Sequence, residues 1–304
     1  MKHWFTYPLI AHPYNPEFMS RDGVIRVAQA AEAAGFDAMG FTDHPAPSDK
    51  WLNAGGHDAL DPFVALGVVA TVTTRLQLIP NIVVLPYRNP FIVAKAAASL
   101  DLLSDRRFVL SVATGYLRSE YRSLGVDFEQ RNVLFDEALI AMRGVWTEDD
   151  FHFEGHGFVA GGVTANPKPG RRVPIWIGGN SALTRRRVAV HADGWNPFPA
   201  SAVMAKTART VPLDGLDDLV PMLDDLWIQV DKAGRDRSEI DVAFTAGLPG
   251  PSEAGFRADE YLEKLDELAG VAVTWVGTTV PGDSLDHALE AIDRYGREVI
   301  AAGA

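Results

Sequence analysis

Short apolar runs alternate with helical patterns along almost the whole chain, and this alternation constrains the fold more than any other feature. Runs rich in β-branched and aromatic residues predict eight strands, at 3–11, 36–42, 76–85, 108–115, 173–179, 192–198, 240–247 and 271–277. Helical patterns lie between or after them, at 20–34, 61–73, 90–103, 130–146, 181–191, 215–233, 257–268 and 283–302. Eight such repeats in 304 residues predict an α/β fold of the (β/α)8 TIM-barrel type.

The main rival is a doubly wound sheet, which usually has fewer strands. Its GxGxxG fingerprint is absent after the first strand. Two segments interrupt the alternation: 147–172, which indicates an inserted hairpin, and 201–215, a long irregular connection. We therefore expect one barrel domain over residues 1–304 with insertion loops at 147–172 and 201–215.

Charge and composition exclude several classes of function. The net charge of −12 would repel a nucleic-acid backbone, so no nucleic-acid partner is expected. The chain has no cysteine, which excludes disulfides, thiolate nucleophiles and cysteine-ligated metals. No apolar run reaches the ~20 residues of a membrane span, and the N-terminus does not read as a signal peptide. We expect a soluble, cytoplasmic protein without a membrane partner.

Polar and glycine residues gather at the ends of the predicted strands, where barrel enzymes place their active sites. These residues are His12, Asp43, His44, Asn81, Thr114, Gly115, Tyr116, Gly178, Gly179, Asn180, Ser181, Trp195 and Asn196. The rim that they form is the default position for a catalytic site.

The pair Asp43-His44 closes an apolar run and is followed by Pro45 and Pro47. A helix-capping turn explains such a pair about as well as a functional role, but the two prolines favour a fixed loop that points outward. His12 precedes Pro13, so a plain turn is at least as well supported there as a ligand role. No histidine pair has the spacing of a zinc site, and we expect no metal.

The glycine pair Gly178-Gly179 ends a strand, and Asn180-Ser181 opens the next helix. Exposed backbone N–H groups and the positive helix end form an anion site, although a tight strand–helix turn explains the glycines equally well. Arg185, Arg186 and Arg187 would add positive potential, or they form a solvated face. The absence of a G-x-S-x-G elbow disfavours a Ser-His-Asp hydrolase.

Six motifs, taken in order and spacing, resemble one family. They are "GFDAMGFTDH", "TRLQLIPNIVVLPYRNP", "RRFVLSVATGYLRSEYRSLGVDFEQR", "DEALIAMRGVWTEDDFHFEGHGF", "PKPGRRVPIWIGGNS" and "RRRVAVHADGWNP". They resemble the bacterial luciferase-like flavin and deazaflavin oxidoreductases, and most of all the branch that uses the 5-deazaflavin coenzyme F-420. The match extends to about residue 198, and the C-terminal third (199–304) is only compatible with it.

The resemblance implies a barrel, usually dimeric, that transfers a hydride between its cofactor and an organic substrate. It implies that Asp43 and His44 meet the cofactor ring or the substrate. It also implies a non-proline cis peptide at Asn81-Ile82, forming a bulge behind the ring. Thr114-Gly115 and the turn Gly178-Gly179-Asn180-Ser181 match the family's cofactor and phosphate contacts.

One position departs from the family pattern. The sugar-phosphate dehydrogenases of the family carry an acidic proton donor after the strand-four glycine, and here that residue is Tyr116. Glucose-6-phosphate oxidation is therefore disfavoured, and a phenol would have to act as the acid. We expect His44 as the acid/base or ring-positioning residue, with Asp43 holding its imidazole or contacting the cofactor. Trp51, His12 and Tyr116 are candidate substrate contacts.

The motifs favour coenzyme F-420 over FMN, which shares the ring outline and the ribityl phosphate. The first alternative is an FMN-dependent luciferase-like monooxygenase, and the second is a non-catalytic barrel that binds a flavin or deazaflavin. The expected partners are a small organic substrate and a second copy of the chain. The substrate and the direction of reaction do not follow from the sequence, because the long loops carry no readable motif.

Overall fold

A computed structural model describes residues 1–303 and contains both expected types of element. The strands are β1 (Lys2–Thr6), β2 (Ala38–Gly40), β3 (Gln77–Leu78), β4 (Val83–Val84), β5 (Leu110–Ala113), β6 (Phe151–Glu154), β7 (Val159–Val163), β8 (Ile175–Gly178), β9 (Gly194–Asn196), β10 (Asp241–Thr245) and β11 (Trp275–Thr278). The helices are α1 (Arg21–Ala34), α2 (Asp49–Leu52), α3 (Pro62–Val72), α4 (Pro90–Leu103), α5 (Arg118–Ser123), α6 (Arg131–Thr147), α7 (Ala182–His191), α8 (Ala202–Ala208), α9 (Leu216–Lys232), α10 (Ala258–Gly270) and α11 (Leu285–Tyr295). A π-helical turn, Gly296–Ile300, continues α11.

Nine of these strands form one sheet, in the order β3-β2-β1-β11-β10-β9-β8-β5-β4. All its ladders are parallel. The two ends of this order, β3 and β4, are halves of one barrel strand that a bulge at 79–82 divides. The sheet therefore closes on itself, and a bridge between Leu78 and Phe108 joins the third and fourth barrel positions. The predicted (β/α)8 barrel is confirmed.

Local chemistry sets the helix boundaries close to their predicted places. The side chains of Asp61 and Asn89 accept backbone N–H bonds at the starts of α3 and α4, and each is followed by a proline. Gly35 ends α1 in the left-handed conformation, with φ of 91°. Within residues 1–303, no helix has the length and apolarity that crossing a membrane requires.

The departures from the predicted elements have simple causes. Strand ladders end where the chain turns to the rim, so every strand is shorter than its apolar run. The segment 147–172 contains the antiparallel hairpin of β6 and β7. The segment 201–215 contains α8, and α2 and α5 were also missed, because one or two turns are too short to show a helical period.

The barrel interior is filled at the amino-terminal side of its strands. This cluster comprises Trp4, Ala38, Ile79, Val109, Trp176, Ala243 and Trp275. The Trp176 and Trp275 rings meet edge to face, with centroids 5.1 Å apart. A larger apolar layer packs between the sheet and the surrounding helices. Because the floor is closed, a ligand can approach only from the carboxyl ends of the strands.

Candidate active site

The loops after β2 and β5 bring His44 and Glu120 together at the rim of the barrel that the carboxyl ends of the strands form. His44 Nδ1 lies 3.1 Å from Oε2 of Glu120, whose side chain is fully buried. The Tyr87 hydroxyl donates to the same oxygen at 3.1 Å, and the Ala46 N–H donates to the other oxygen at 3.1 Å. The carboxylate accepts the Nδ1 proton of His44, which leaves Nε2 without a hydrogen-bond partner among the described residues.

Two further rings surround this imidazole. The Trp51 ring lies 4.4 Å from that of His44 at an angle of 34°, and the His57 ring meets His44 edge-on at 5.0 Å. His57 Nδ1 lies 3.0 Å from the carbonyl oxygen of Asp58, which can only accept, so Nδ1 carries the proton. Burial, helped by the neighbouring His44, lowers the pKa of His57. Trp51 was expected at the site from the sequence, whereas His57 was not.

Asp43 does not contact the imidazole of His44. Its buried carboxylate accepts the Val84 N–H at 2.9 Å and an Arg88 N–H at 2.8 Å. Burial raises the pKa of Asp43, and the Arg88 guanidinium opposes this shift. The prediction that Asp43 holds the His44 imidazole is wrong, because Asp43 bonds to Val84 and Arg88 and His44 bonds to Glu120. Asp43 instead anchors the strand that follows the bulge. The alternative, that Asp43 contacts the cofactor, stays a prediction.

The cis peptide Asn81-Ile82 is present where the family resemblance placed it. The Asn81 amide donates to the Thr6 hydroxyl at 2.7 Å and accepts from the Asn196 amide at 3.0 Å. These bonds join three barrel strands at the rim. They also occupy the Asn81 side chain, so the half-buried Ile82 is the bulge residue whose side chain remains for apolar contact.

At the glycine turn before α7, where the sequence predicts an anion cradle, neighbouring residues approach the backbone closely. A Cβ on Gly178 would lie 3.1 Å from Ile82 Cδ1 and 3.3 Å from the Asn196 carbonyl oxygen. Gly179 has φ of 117°, which only glycine adopts readily. The Ser181 hydroxyl caps α7 by accepting the Thr184 N–H at 3.1 Å, and the first N–H groups of a helix have no intrahelical acceptor.

The Asn180 side chain is occupied by the protein itself. It donates to the carbonyl oxygens of Phe198 (2.7 Å) and Val211 (2.8 Å), and it accepts the Phe198 N–H at 2.7 Å. Asn180 can therefore offer a ligand its backbone but not its amide. Its amide fixes the connection 198–211 to the glycine turn.

The arginine triplet of α7 is neither a solvated face nor a free positive patch. Arg185 is buried and pairs with Asp225 at 2.5 Å. Arg187 is buried and pairs with Asp136 at 2.6 Å. Only Arg186 is exposed. Residues two apart lie on opposite sides of a helix, so Arg185 faces α9 and Arg187 faces α6, and each neighbouring helix supplies a carboxylate.

A second tight turn at the rim follows β5, the fourth strand of the barrel. Gly115 has φ of 65°, and a Cβ there would lie 2.5 Å from Val84 Cγ1. The Tyr121 hydroxyl donates to the Thr114 carbonyl oxygen. Tyr116 is half-buried beside Trp51; burial raises its pKa, and a hydrogen bond with Trp51 opposes the shift. Its phenol therefore stays protonated at neutral pH and can donate a hydrogen bond.

His12 lies at the outer edge of this group. Its Nδ1 is 2.8 Å from Asp58 Oδ2, and the same oxygen accepts the Tyr14 N–H at 3.0 Å. Asp58 thus links His12 to the His57 loop. Within residues 1–303, no three His, Asp or Glu side chains gather as metal ligands would.

A cavity of about 590 Å³ is present elsewhere, and none of the residues around His44 lines it. It opens at the end of β10, and Phe244, Thr245, Met204 and Leu216 are among its lining residues. Its wall includes Pro199 and Ala200, from the connection that Asn180 holds. Glu260, Glu263 and Glu267 of α10 also line it, whereas no residue of the glycine turn does, so the cavity is separate from the candidate site.

Proteins of related sequence align with more than half of this chain. An uncharacterized protein of Mycobacterium tuberculosis is 35% identical over 183 residues, which cover 56% of this chain and 63% of that protein. The aligned part is thus less than two thirds of that relative. A protein named F-420-dependent glucose-6-phosphate dehydrogenase, from Intrasporangium calvum, is 26% identical over 295 residues, covering 86% of this chain and 83% of the relative.

Solved structures confirm the fold, and one family model matches most of the sequence. The coenzyme F-420-dependent tetrahydromethanopterin reductase of Methanopyrus kandleri has a TM-score of 0.74 at 16% identity, covering 100% of this chain and 99% of that one. The oxygenating component of 3,6-diketocamphane monooxygenase from Pseudomonas putida, solved with FMN, has a TM-score of 0.76 at 17% identity, covering 98% and 97%. Residues 3–249 match the model of the luciferase-like monooxygenase family. The chain belongs to this family.

Proposed function

We propose that the protein is a coenzyme F-420-dependent oxidoreductase that transfers a hydride between the cofactor and a small organic substrate. The observation that carries this proposal is the buried Glu120 holding the His44 imidazole at the barrel rim, with Nε2 left free. The relatives named F-420-dependent dehydrogenases support the choice of cofactor. Tyr116 in place of an acidic residue argues for a substrate other than glucose-6-phosphate.

The residues at the rim fit a flavin-like group with a phosphate. Gly178 lets Ile82 and the Asn196 carbonyl oxygen approach its backbone closely, and Gly179 with the capped start of α7 offers backbone N–H groups to an anion. The bulge at Asn81-Ile82 places a side chain of apolar character beside the same turn. We assign Ile82, Gly115, Gly178, Gly179 and Ser181 to cofactor binding, and Asn81 and Asn180 to holding that surface in shape.

When bound, the deazaflavin supplies or accepts the hydride. Removing a hydride from a carbon that bears a hydroxyl requires a base for the hydroxyl proton, and His44 Nε2 is free to take it. Glu120 fixes the tautomer and stabilises the imidazole once it is protonated, as a carboxylate does for a catalytic histidine. Trp51 and Tyr116 wall the rim and exclude water, and the Tyr116 hydroxyl can orient the substrate.

Replacing His44 with asparagine tests the proton-transfer role. We expect His44→Asn to lower kcat by about 100-fold or more between about pH 6 and 8 while cofactor binding persists. Equal turnover by the variant across that range would exclude His44 as the acid/base. Cofactor binding without hydride exchange on any substrate of a broad panel would instead favour a non-catalytic binding barrel.

An FMN-dependent monooxygenase is the second candidate, favoured by the structural match to an FMN-bound enzyme. Titrating the cofactor-free protein with F-420 and with FMN separates the two, with tryptophan fluorescence as the signal. Trp51→Phe is the matched control for the fluorescence signal, because it removes the tryptophan that contacts His44. The F-420 proposal predicts tighter binding of F-420 and fails if FMN alone binds.

We also propose that the protein works as a homodimer. Helices α3 and α4 are apolar nearly all round, yet their outward side chains are exposed: Val64 by 72%, Ile92 by 69% and Leu103 by 80%. Helices of this composition are normally buried. A second copy of the chain would cover these two faces.

A further inference from the structure

Three arginines from separate segments converge on one buried aromatic ring. The guanidinium carbons of Arg131, Arg118 and Arg209 lie 4.0, 4.2 and 5.4 Å from the centroid of Phe128. Phe128 is 6% exposed. Each arginine gains from the face of the ring, but three like charges so close together repel one another.

The carboxylates of the protein offset this charge only in part. Glu129 pairs with Arg118 at 2.6 Å and lies 3.9 Å from Arg131. Asp127 uses one oxygen to accept the Glu129 N–H. Arg209 forms no ion pair within the described part of the chain. In a protein of net charge −12, this is a local concentration of positive charge with an uncompensated guanidinium.

The cluster lies on the same rim as the candidate active site. Arg118 comes three residues after Gly115, and Arg209 lies in the connection that follows β9. Both residues are therefore in connections that begin at the carboxyl ends of barrel strands. Asn180 of the glycine turn donates to the Val211 carbonyl oxygen at 2.8 Å, two residues from Arg209. The cluster therefore continues the anion cradle outward along the rim.

A chain of rings joins the cluster to His44. The Phe128 ring contacts Tyr121 edge to face at 5.1 Å, and Tyr121 contacts Tyr87 at 4.7 Å. The Tyr87 hydroxyl donates to Glu120, the partner of His44. A group bound at the arginines is thus held at a fixed place relative to the proposed proton-transfer residue.

We propose that Arg118, Arg131 and Arg209 form a binding site for a multiply charged anionic group, a phosphate or a set of clustered carboxylates, carried by the cofactor or by the substrate. Planar guanidinium groups bind both kinds of oxyanion with paired hydrogen bonds. Such a ligand relieves the repulsion within the cluster. Whether the anionic group belongs to the cofactor or to the substrate depends on the proposed function. The presence of an anion-binding site does not depend on it.

Pyrophosphate is the probe for the site, measured by calorimetric titration of the cofactor-free protein at constant ionic strength. The test variant is Arg118→Gln/Arg209→Gln, since both side chains are exposed and Arg131, which bonds to the Phe128 carbonyl oxygen, stays intact. Arg122→Gln, an exposed arginine of α5 outside the cluster, is the matched control. We expect the double variant to lose at least about tenfold in affinity, equal to about 1.4 kcal/mol, and the control to lose none.

The proposal is overturned if the native protein does not bind pyrophosphate, or if the double variant and the control bind it equally. Equal binding would place the anion at the glycine turn alone. Loss of affinity in both variants would show a general charge effect and would also overturn it. A melting temperature like that of the native protein checks that the double variant is folded.

The same variants identify the carrier. A weaker F-420 affinity in the double variant, with unchanged affinity in Arg122→Gln, assigns the site to the charged part of the cofactor. Unchanged F-420 affinity together with lost pyrophosphate binding assigns it to the substrate. A native protein that binds pyrophosphate but not F-420 contradicts the proposed function and leaves the anion site standing.

Discussion

The Nδ1 atom of His44 lies 3.1 Å from Oε2 of Glu120, and these two residues come from loops 76 positions apart in the chain. The pair joins the second and fourth positions of the barrel. Tyr87, which follows the third, donates to the same carboxylate. The orientation of the imidazole is therefore set by three successive strand ends rather than by its neighbour in sequence.

Replacing Glu120 with glutamine should release this orientation. An amide can donate to Nδ1 as well as accept from it, so the tautomer with a free Nε2 is no longer enforced. We expect kcat to fall by about 10- to 100-fold with a much smaller change in cofactor affinity. Glu154→Gln, at an exposed carboxylate of the β6–β7 hairpin, should leave kcat unchanged; equal loss in both variants would remove Glu120 from the mechanism.

Asp43 should prove to be a stability residue rather than a catalytic one. Asp43→Asn leaves the Arg88 guanidinium without its buried carboxylate, and we expect the free energy of unfolding to fall by about 3 kcal/mol. Urea unfolding measures the change, with His44→Asn as the comparison. A variant that keeps native stability but loses turnover would return Asp43 to the catalytic group.

A methyl group at Gly178 should weaken cofactor binding. Its Cβ would lie 3.1 Å from Ile82 Cδ1, on the surface assigned to the cofactor. We expect Gly178→Ala to raise the dissociation constant for F-420 by about tenfold or more, corresponding to about 1.4 kcal/mol. Gly161→Ala is the control, because a Cβ there meets nothing within 4 Å and the residue lies in the β6–β7 hairpin. Unchanged affinity in Gly178→Ala would move the cofactor elsewhere.

Acid should destabilise the protein partly through His3. Burial lowers the pKa of this histidine from 6.5 to about 4, and its Nδ1 lies 3.1 Å from the Tyr295 hydroxyl oxygen. Between these two values the unfolded chain binds a proton that the folded chain does not. The free energy of unfolding therefore falls as pH drops through this window, by on the order of 3 kcal/mol.

The variant His3→Phe should lose that part of the pH dependence between about pH 6.5 and 4. Urea unfolding at a series of pH values gives the slope. The exposed His152, replaced in the same way, is the control and should keep it. A slope identical in all three proteins would show that His3 does not contribute.

The homodimer proposal predicts that charge on the exposed faces of α3 and α4 separates the copies. Val64→Asp/Ile92→Asp should sediment as a monomer at concentrations where the native protein is a dimer. Val159→Asp is the control, since Val159 is 70% exposed but lies on the hairpin. Dimers of unchanged stability in the double variant would place the interface elsewhere.

The barrel fold and the position of its rim could be predicted from the sequence, because both depend on local patterns: apolar runs, capping residues and glycine turns. The sequence also placed His44, Tyr116 and Gly178 at the rim, because each lies at or within four residues of a strand end, and their roles stay predictions. It missed Glu120 and His57, since their importance comes from contacts across loops that no spacing reveals. It also did not reveal the partner of Asp43, because Arg88 lies 45 residues away.

The single amide of Asn180 holds both ends of the connection 198–211, through Phe198 at one end and Val211 at the other. Surface loops vary more in length and composition than the elements they connect, and here the two anchor points fix where the variable part begins and ends. We therefore expect relatives of this chain to differ most between 199 and 210 while the glycine turn keeps its place.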